Sequence, residues 1–197
     1  YPLTKNSNCT SISQLKKMFL DHVDIEPQNI FSPDGTISQD AVLGYCRLYE
    51  QRISTFGGLD IALFGIGRTG LSSVSRLILI DNLSREEMTN SFASGEQVPP
   101  CCITMGIGTI FQAKEIFITV WGDEKAKMVK EIVEGKISDS VPASFLQTHN
   151  NAKMVIDLPA ASQLTRIKHP WLVTSCQWND KLVRSAVVWL CEKTQKP

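Results

Sequence analysis

The stretch LDIALFGIGRTGLSSVSRLILID, residues 59–81, decides the expected fold. It begins with an apolar run typical of a strand, Ile61 to Phe64, and passes through a glycine-punctuated turn into a second apolar run, Leu77 to Ile80. A strand followed by a glycine turn and a new element is how open α/β sheets place ligands at the carboxyl ends of their strands. We therefore expect a candidate site in this turn, formed by Gly65, Ile66, Gly67, Arg68, Thr69 and Gly70.

Predicted strands and helices alternate on both sides of this stretch. Dense apolar runs predict strands at Cys102–Met105, Glu115–Trp121 and Lys153–Ile156. Apolar residues at three- and four-residue spacing predict helices, of which Ser38 is expected to cap one and Gly135 to close another at its C′ position. The predicted helices are Ser11–Val23, Ser38–Thr55, Ser84–Phe92, Asp123–Glu134, Pro142–Thr148 and Trp178–Lys193, the last with Leu182, Ala186, Trp189 and Leu190 facing inward. The alternation predicts an α/β fold with a mainly parallel sheet covered on both faces.

The composition is that of an ordinary globular protein and narrows the class of ligand. Of the 197 residues, 43% are hydrophobic and 20% charged, with 20 basic and 20 acidic side chains. A formal net charge of zero argues against a nucleic-acid-binding protein but is compatible with a local cationic pocket for a phosphorylated metabolite. The six cysteines show no C-x-x-C spacing and no two of the three histidines stand four residues apart, so no metal site is expected. No membrane span or signal peptide is expected, and the predicted compartment is the cytoplasm.

Two glycine turns could present backbone N–H groups to an anion. The first, Gly65–Gly70, has the G-x-G-x-x-G spacing, but it lacks the Gly-Lys-Ser/Thr ending of a phosphate-binding P-loop and no helix clearly follows it. A plain tight turn therefore remains the alternative to a phosphate or sugar site. The second, Gly106–Thr109, carries a similar signal, for which close helix–sheet packing is the default explanation.

Four cationic side chains stand beside predicted strand or helix ends. Each alone is typical of a solvated surface charge, but together they could form an anion site, because arginine binds phosphate through two parallel hydrogen bonds. Thr69 has no adjacent base in the sequence, so nothing supports a nucleophilic triad. The four cations are Arg68, Arg76, Arg166 and Lys168.

Several motifs resemble those of glucosamine-6-phosphate deaminases. FLDHVDI at 19–25 resembles the family's FFDHVDI, and ITMGIGTI at 103–110 resembles LTVGVGTL. EIFITVWGDEKA at 115–126 is similar to EVMILVLGSQKA, and ASFLQTHNNA at 143–152 to ISCLQLHPKA. The matches run in order over about residues 1 to 168. The resemblance implies a Rossmann-like three-layer domain, often assembled as a hexamer, that converts glucosamine 6-phosphate and water into fructose 6-phosphate and ammonia without a cofactor.

The central motif of that family, GVGNDGHIAFNEP, is matched only in part. Gly65, Gly67 and Gly70 agree, whereas Arg68 and Thr69 stand where Asn and Asp are expected. The block that follows in the family, with the ring-opening His and its partner Glu, has no counterpart between Gly70 and the next residue. Tyr1 resembles the position just after the family's MDEY segment, whose Asp is the proton-abstracting base, and the glycine-rich phosphate loop that precedes that segment has no counterpart either. A Thr at position 69 brings no charge, so the resemblance implies an altered pKa and orientation for the His.

The resemblance assigns roles to further residues. Arg76 falls on an arginine that binds phosphate at an allosteric site, and Asn90 stands where an active-site arginine is expected. Thr165 stands where a phosphate-binding lysine is expected, so Arg166 beside it is the predicted replacement. The predicted substrate-binding set is Gly65, Gly67, Arg68, Gly70, Arg166 and Lys168, with Thr69 at the catalytic position and no metal.

The expected domain organisation is a deaminase-like domain over 1–169, lacking its N-terminal part, and a helical extension over 170–197. The extension resembles bacterial forms that continue into a deacetylase-like domain. The predicted function is glucosamine 6-phosphate deamination, with a sugar phosphate as the small-molecule partner and a homo-oligomer as the assembly; nucleic acid and membrane are not expected partners. One alternative is a catalytically impaired sugar-phosphate-binding regulatory module. A sugar-lactone hydrolase would share the fold but lacks these motifs.

Overall fold

A computed structural model describes residues 10–66, 75–80, 82–89 and 98–195. Within this part of the chain, eight α-helices and five strands alternate, and short 3-10 helices connect several of them. The strands are β1 Ile61–Gly65, β2 Arg76–Leu79, β3 Cys101–Thr104, β4 Glu115–Val120 and β5 Ala152–Ile156. The helices are α1 Ser11–Met18, α2 Val42–Thr55, α3 Asn82–Thr89, α4 Ile107–Phe111, α5 Ala126–Glu134, α6 Leu158–Ala161, α7 Thr165–Lys168 and α8 Asp180–Thr194.

The main sheet is parallel, with the strand order β1-β4-β5, so β4 is its central strand. Ile116, Ile118 and Val120 of β4 are at most 3% exposed, and the residues between them are half-buried. A strand covered on both faces is what a three-layer α/β fold requires. The predicted α/β fold with its Rossmann-like parallel sheet is therefore confirmed. In addition, β2 and β3 form an antiparallel pair that runs from Arg76 opposite Thr104 to Leu79 opposite Cys101.

The chain divides into two compact units. The first comprises the described residues of 1–62 and 67–116, and the second those of 63–66 and 117–197. In the second unit α5 buries Ala126, Val129 and Ile132, which follow one another at three-residue spacing on one helix face. No helix in the described part of the chain combines the length and the apolar character that crossing a bilayer requires.

Several helix ends differ from the prediction: α1 ends at Met18 rather than Val23, α3 begins at Asn82, α5 begins at Ala126, and α8 spans Asp180–Thr194. The helix expected from Ser38 begins at Val42, because a turn closed by the Ala41 N–H donating to the Ser38 carbonyl (3.0 Å) precedes it. Gly135 does end α5, but with φ −75° and extended backbone rather than in the left-handed region. A glycine is needed there for space, since a Cβ would run into the backbone carbonyl of Glu131.

The segment after residue 169 packs within the second unit through aromatic rings. The ring of Trp171 lies 5.3 Å from that of His169, 6.1 Å from Trp178 and 6.3 Å from Trp189 of α8. Three of the four residues predicted to face inward on α8 are half-buried, as expected. The fourth, Leu190, is 54% exposed, so that prediction is wrong. It stands one residue beyond Trp189 and is therefore turned about 100° away from the packed face.

Glu50 on α2 connects three segments of the first unit. Its Oε1 accepts hydrogen bonds from the Ser75 N–H (2.6 Å) and the Thr109 hydroxyl (3.0 Å), and the Ser75 hydroxyl accepts one from the Gly106 N–H (3.0 Å). Burial acts to raise the pKa of Glu50, but the hydrogen bonds from Ser75 and Thr109 outweigh it and hold that pKa below its ordinary value. The ionised carboxylate therefore stabilises the fold.

We expect Glu50→Gln to lower the free energy of unfolding at pH 7 by about 1 kcal/mol, because hydrogen bonds to a charged acceptor are stronger than those to an amide. A group with a depressed folded-state pKa stabilises above its ordinary pKa and loses this contribution as pH falls through the folded value. The difference between wild type and variant in urea unfolding should thus shrink below about pH 4. Glu131→Gln, which alters an exposed pair with Lys127 at 4.0 Å, is the control. A difference for Glu50→Gln that persists unchanged at low pH would contradict the assignment.

Candidate functional site

The carboxyl ends of the parallel strands meet at one edge of the main sheet, which is where ligands bind in open α/β folds. Residues at this edge in the second unit are Gly65 at the end of β1, Ile66 directly after it, Gly122 after β4 and Asp157 after β5. The described part of the edge thus combines a glycine, a carboxylate and the turn that leads from the central strand into α5.

Gly122 has a backbone conformation that other residues rarely adopt. Its φ is 91° and its ψ 150°, a region that is essentially restricted to glycine. A Cβ at this position would also meet the carboxylate of Glu124. A 3-10 helix, Asp123–Lys125, follows directly and leads into α5. Gly122 therefore sets the direction in which the chain leaves β4.

Asp157, the residue that follows the neighbouring strand β5, fixes the turn after β4. Its Oδ1 accepts a hydrogen bond from the Ala160 N–H (2.9 Å) and thereby caps α6. Both carboxylate oxygens also lie 3.2 Å from the Gly122 nitrogen, whose N–H they accept. One side chain thus caps a helix and fixes the residue that follows the central strand.

Among the described residues, Lys125 is a cation that the structure places beside this edge. It is the last residue of the 3-10 helix, its side chain is half-buried, and its backbone N–H donates to the Gly122 carbonyl (3.3 Å). Ala126 beside it is 1% exposed, which fixes the orientation of the start of α5. A lysine held at the carboxyl end of a central parallel strand is suited to bind an anionic group of a ligand.

The sequence pattern does not single out Lys125. The apolar spacing over Asp123–Glu134 predicts one continuous amphipathic helix, in which a lysine is an ordinary surface charge. A signal was nevertheless present, because the quoted family segment EVMILVLGSQKA ends in Lys-Ala, as does the segment that ends at Lys125 and Ala126 here.

Of the predicted site residues, three lie in the described part of the second unit. Gly65 is the last residue of β1, and a Cβ there would lie 3.7 Å from the Thr119 carbonyl oxygen, an ordinary contact. Arg166 and Lys168 are exposed on α7. In the first unit, Arg76 is exposed at the start of β2. The remaining predicted positions lie outside the described residues: Gly67, Arg68, Thr69, Gly70 and Asn90.

Thr165 is occupied by contacts within the second unit. Its N–H and its hydroxyl each donate to the carboxylate of Glu134, the last residue of α5, at 2.7 Å. The contacts join the start of α7 to the end of α5. The neighbouring Arg166 remains an exposed cation on the same short helix.

Comparisons with known proteins indicate the family of this chain. The profile of the family described as glucosamine-6-phosphate isomerases/6-phosphogluconolactonase matches residues 3–156. A glucosamine-6-phosphate deaminase of Clostridium novyi is 33% identical over 83% of this chain and 71% of its own length. A glucosamine-6-phosphate deaminase-like protein of Bacteroides thetaiotaomicron is 58% identical over all of this chain, which spans only 31% of that relative.

Solved structures show the same fold. A glucosamine-6-phosphate deaminase described as monomeric superimposes with a TM-score of 0.75 at 33% identity, over 81% of this chain and 70% of that one. A 6-phosphogluconolactonase from Trypanosoma cruzi gives a TM-score of 0.63 at 16% identity, a likeness of fold alone. The profile match covers most of the sequence, and the chain therefore belongs to the family of glucosamine-6-phosphate isomerases and 6-phosphogluconolactonases.

Proposed function

We propose that the domain deaminates and isomerises glucosamine 6-phosphate to fructose 6-phosphate and ammonia, with water as co-substrate. The observation that carries the proposal is the carboxyl edge of the main sheet, where a glycine with positive φ and a half-buried lysine follow the central strand. The family and its deaminase members support a phosphorylated amino sugar as the substrate. No cofactor enters the proposed reaction.

Within this proposal Lys125 binds the phosphate of the sugar. The backbone around Gly65, Gly67 and Gly70 contributes N–H groups, and Arg68, Arg166 and Lys168 are the further predicted phosphate-binding residues. Thr69 occupies the position of the family's Asp, and Arg76 binds an effector phosphate. Because the family's His and Glu have no counterpart after Gly70, no proton transfer is assigned to a named residue of this chain.

The proposed chemistry is general acid–base catalysis. The pyranose ring opens, the proton at C2 moves to C1, and the resulting ketose imine is hydrolysed, so that water supplies the ketone oxygen and nitrogen leaves as ammonia. Electrons are only redistributed within the substrate, and no oxidant or reductant is needed. A hexamer remains a prediction that follows from the resemblance, and a cytoplasmic location remains a prediction from the sequence.

The test is an assay of the protein with millimolar glucosamine 6-phosphate. We expect ammonia and fructose 6-phosphate to appear in equal amounts, measured by coupled enzymatic assays, with 6-phosphogluconolactone as the comparison substrate. Lactone hydrolysis without ammonia release would favour the lactonase branch of the family. A rise in melting temperature with glucosamine 6-phosphate, but without product, would favour the alternative function, a catalytically impaired sugar-phosphate-binding module.

A further inference from the structure

Asp157 makes more contacts than the capping of α6 requires. An N-cap needs a single oxygen acceptor, and Asn, Ser or Thr supplies one as well as Asp does. Here Oδ1 accepts from the Ala160 N–H at 2.9 Å, and both oxygens lie within 3.2 Å of the Gly122 nitrogen. The contact to Gly122 joins the turn after β4 to the end of β5, two segments that are 35 residues apart in sequence.

The Gly122 N–H depends on this acceptor. β4 ends at Val120, so the strand ladder no longer supplies a partner two residues later. The φ of 91° turns the chain out of the sheet direction, and a part-buried N–H without an acceptor would be costly. Asp157 therefore stabilises a backbone conformation that would otherwise relax.

The fixed turn determines where Lys125 stands. The Gly122 carbonyl accepts the Lys125 N–H at 3.3 Å, so two consecutive hydrogen bonds lead from the carboxylate of Asp157 through Gly122 to the backbone of Lys125. The described hydrogen bonds of the Asp157 carboxylate go to backbone N–H groups only, and its effect on a ligand is therefore indirect.

We propose that Asp157 is a positioning residue that fixes the turn after the central strand and thereby sets the affinity of Lys125 for the phosphate of the ligand. This inference rests on the proposed function for the identity of the ligand. The contact pattern itself predicts which replacements are tolerated. Asn keeps an oxygen acceptor for both N–H groups, whereas Ala removes it.

The experiment compares Asp157→Ala and Asp157→Asn with Asn179→Ala in the full chain. Asn179 caps α8 by accepting the Leu182 N–H at 2.9 Å, so its replacement removes an equivalent cap without a contact to Gly122. We expect Asp157→Ala to raise KM for glucosamine 6-phosphate about tenfold, with kcat changed less than about threefold, the pattern of lost uniform binding. Asp157→Asn should stay within about threefold of wild type, and Asn179→Ala should lower stability without changing KM.

Two further readouts do not depend on turnover. The dissociation constant of inorganic phosphate, followed by tryptophan fluorescence, should rise about tenfold in Asp157→Ala only. Amide hydrogen exchange at Gly122, followed by NMR, should be slow in wild type and Asp157→Asn but fast in Asp157→Ala. If wild type makes no product yet shows these differences, the proposed reaction fails and the role of Asp157 stands. Unchanged phosphate affinity in Asp157→Ala, or equal losses in Asn179→Ala, would overturn the inference.

Discussion

Replacing Lys125 with alanine is expected to raise KM for glucosamine 6-phosphate by about 10- to 100-fold while kcat changes little. A hydrogen bond between an ammonium and a phosphate contributes about 1.5–3 kcal/mol, and each 1.4 kcal/mol corresponds to a tenfold change in affinity. The phosphate is remote from the reacting carbons, so its binding energy is the same in the ground state and the transition state, and its loss appears in KM. Steady-state kinetics with glucosamine 6-phosphate measures both constants.

Lys127 provides the matched control for Lys125. It is the second residue of α5, its side chain is 82% exposed, and its contact to Glu131 is a surface pair at 4.0 Å. Such pairs contribute little, so Lys127→Ala should leave KM within about twofold of wild type. If Lys125→Ala binds the substrate as tightly as wild type, Lys125 does not bind the phosphate. The phosphate-binding role would then be assigned to α7, and Arg166→Ala would be the variant that loses affinity.

The sequence predicted the architecture because its signals are local. The alternating burial of β4 follows from the spacing of its apolar residues, and the core face of α5 follows from Ala126, Val129 and Ile132. The approximate positions of all five strands could therefore be found without tertiary information. The prediction located the candidate site at the carboxyl end of β1, and the structure places that end at the same sheet edge as Gly122.

The contacts that organise the edge are not local, and the sequence did not show them. Asp157 and Gly122 are joined across strands, and nothing in either segment alone indicates a shared hydrogen bond. The helix start at Val42 rather than Ser38 has a similar cause, since a good capping residue can also close a preceding turn. The sequence did not indicate the position of Lys125 for a third reason. A 3-10 turn and the α-helix that follows it have almost the same apolar spacing, so the boundary between them cannot be read from the sequence.

Gly122→Ala tests the strained turn directly and should be among the most destabilising single changes on the carboxyl edge. An alanine held at φ 91° and ψ 150° carries strain of about 1–3 kcal/mol. The contact of its Cβ with the Glu124 carboxylate adds little, because that flexible side chain can move away. Urea unfolding should therefore show a loss of about 1–3 kcal/mol.

The control is Gly44→Ala on the exposed face of α2, where a Cβ meets nothing within 4 Å. An alanine within a helix is favoured over glycine by about 1 kcal/mol, so this variant should be more stable than wild type. Opposite signs for the two glycine replacements would show that backbone conformation decides the outcome. Equal unfolding midpoints for Gly122→Ala and wild type would mean that the turn is not strained.

The same variant also couples to Asp157. The strain on an alanine at position 122 drives the backbone toward negative φ, and any such shift moves the N–H away from the carboxylate, so Gly122→Ala alone should raise KM much as Asp157→Ala does. Since both changes break one hydrogen bond, the double variant should lose little more affinity than either single variant, whereas independent residues would give additive losses. Additive effects on KM in this cycle would mean that Gly122 and Asp157 act independently. That result would contradict the proposed role of Asp157 in fixing the turn.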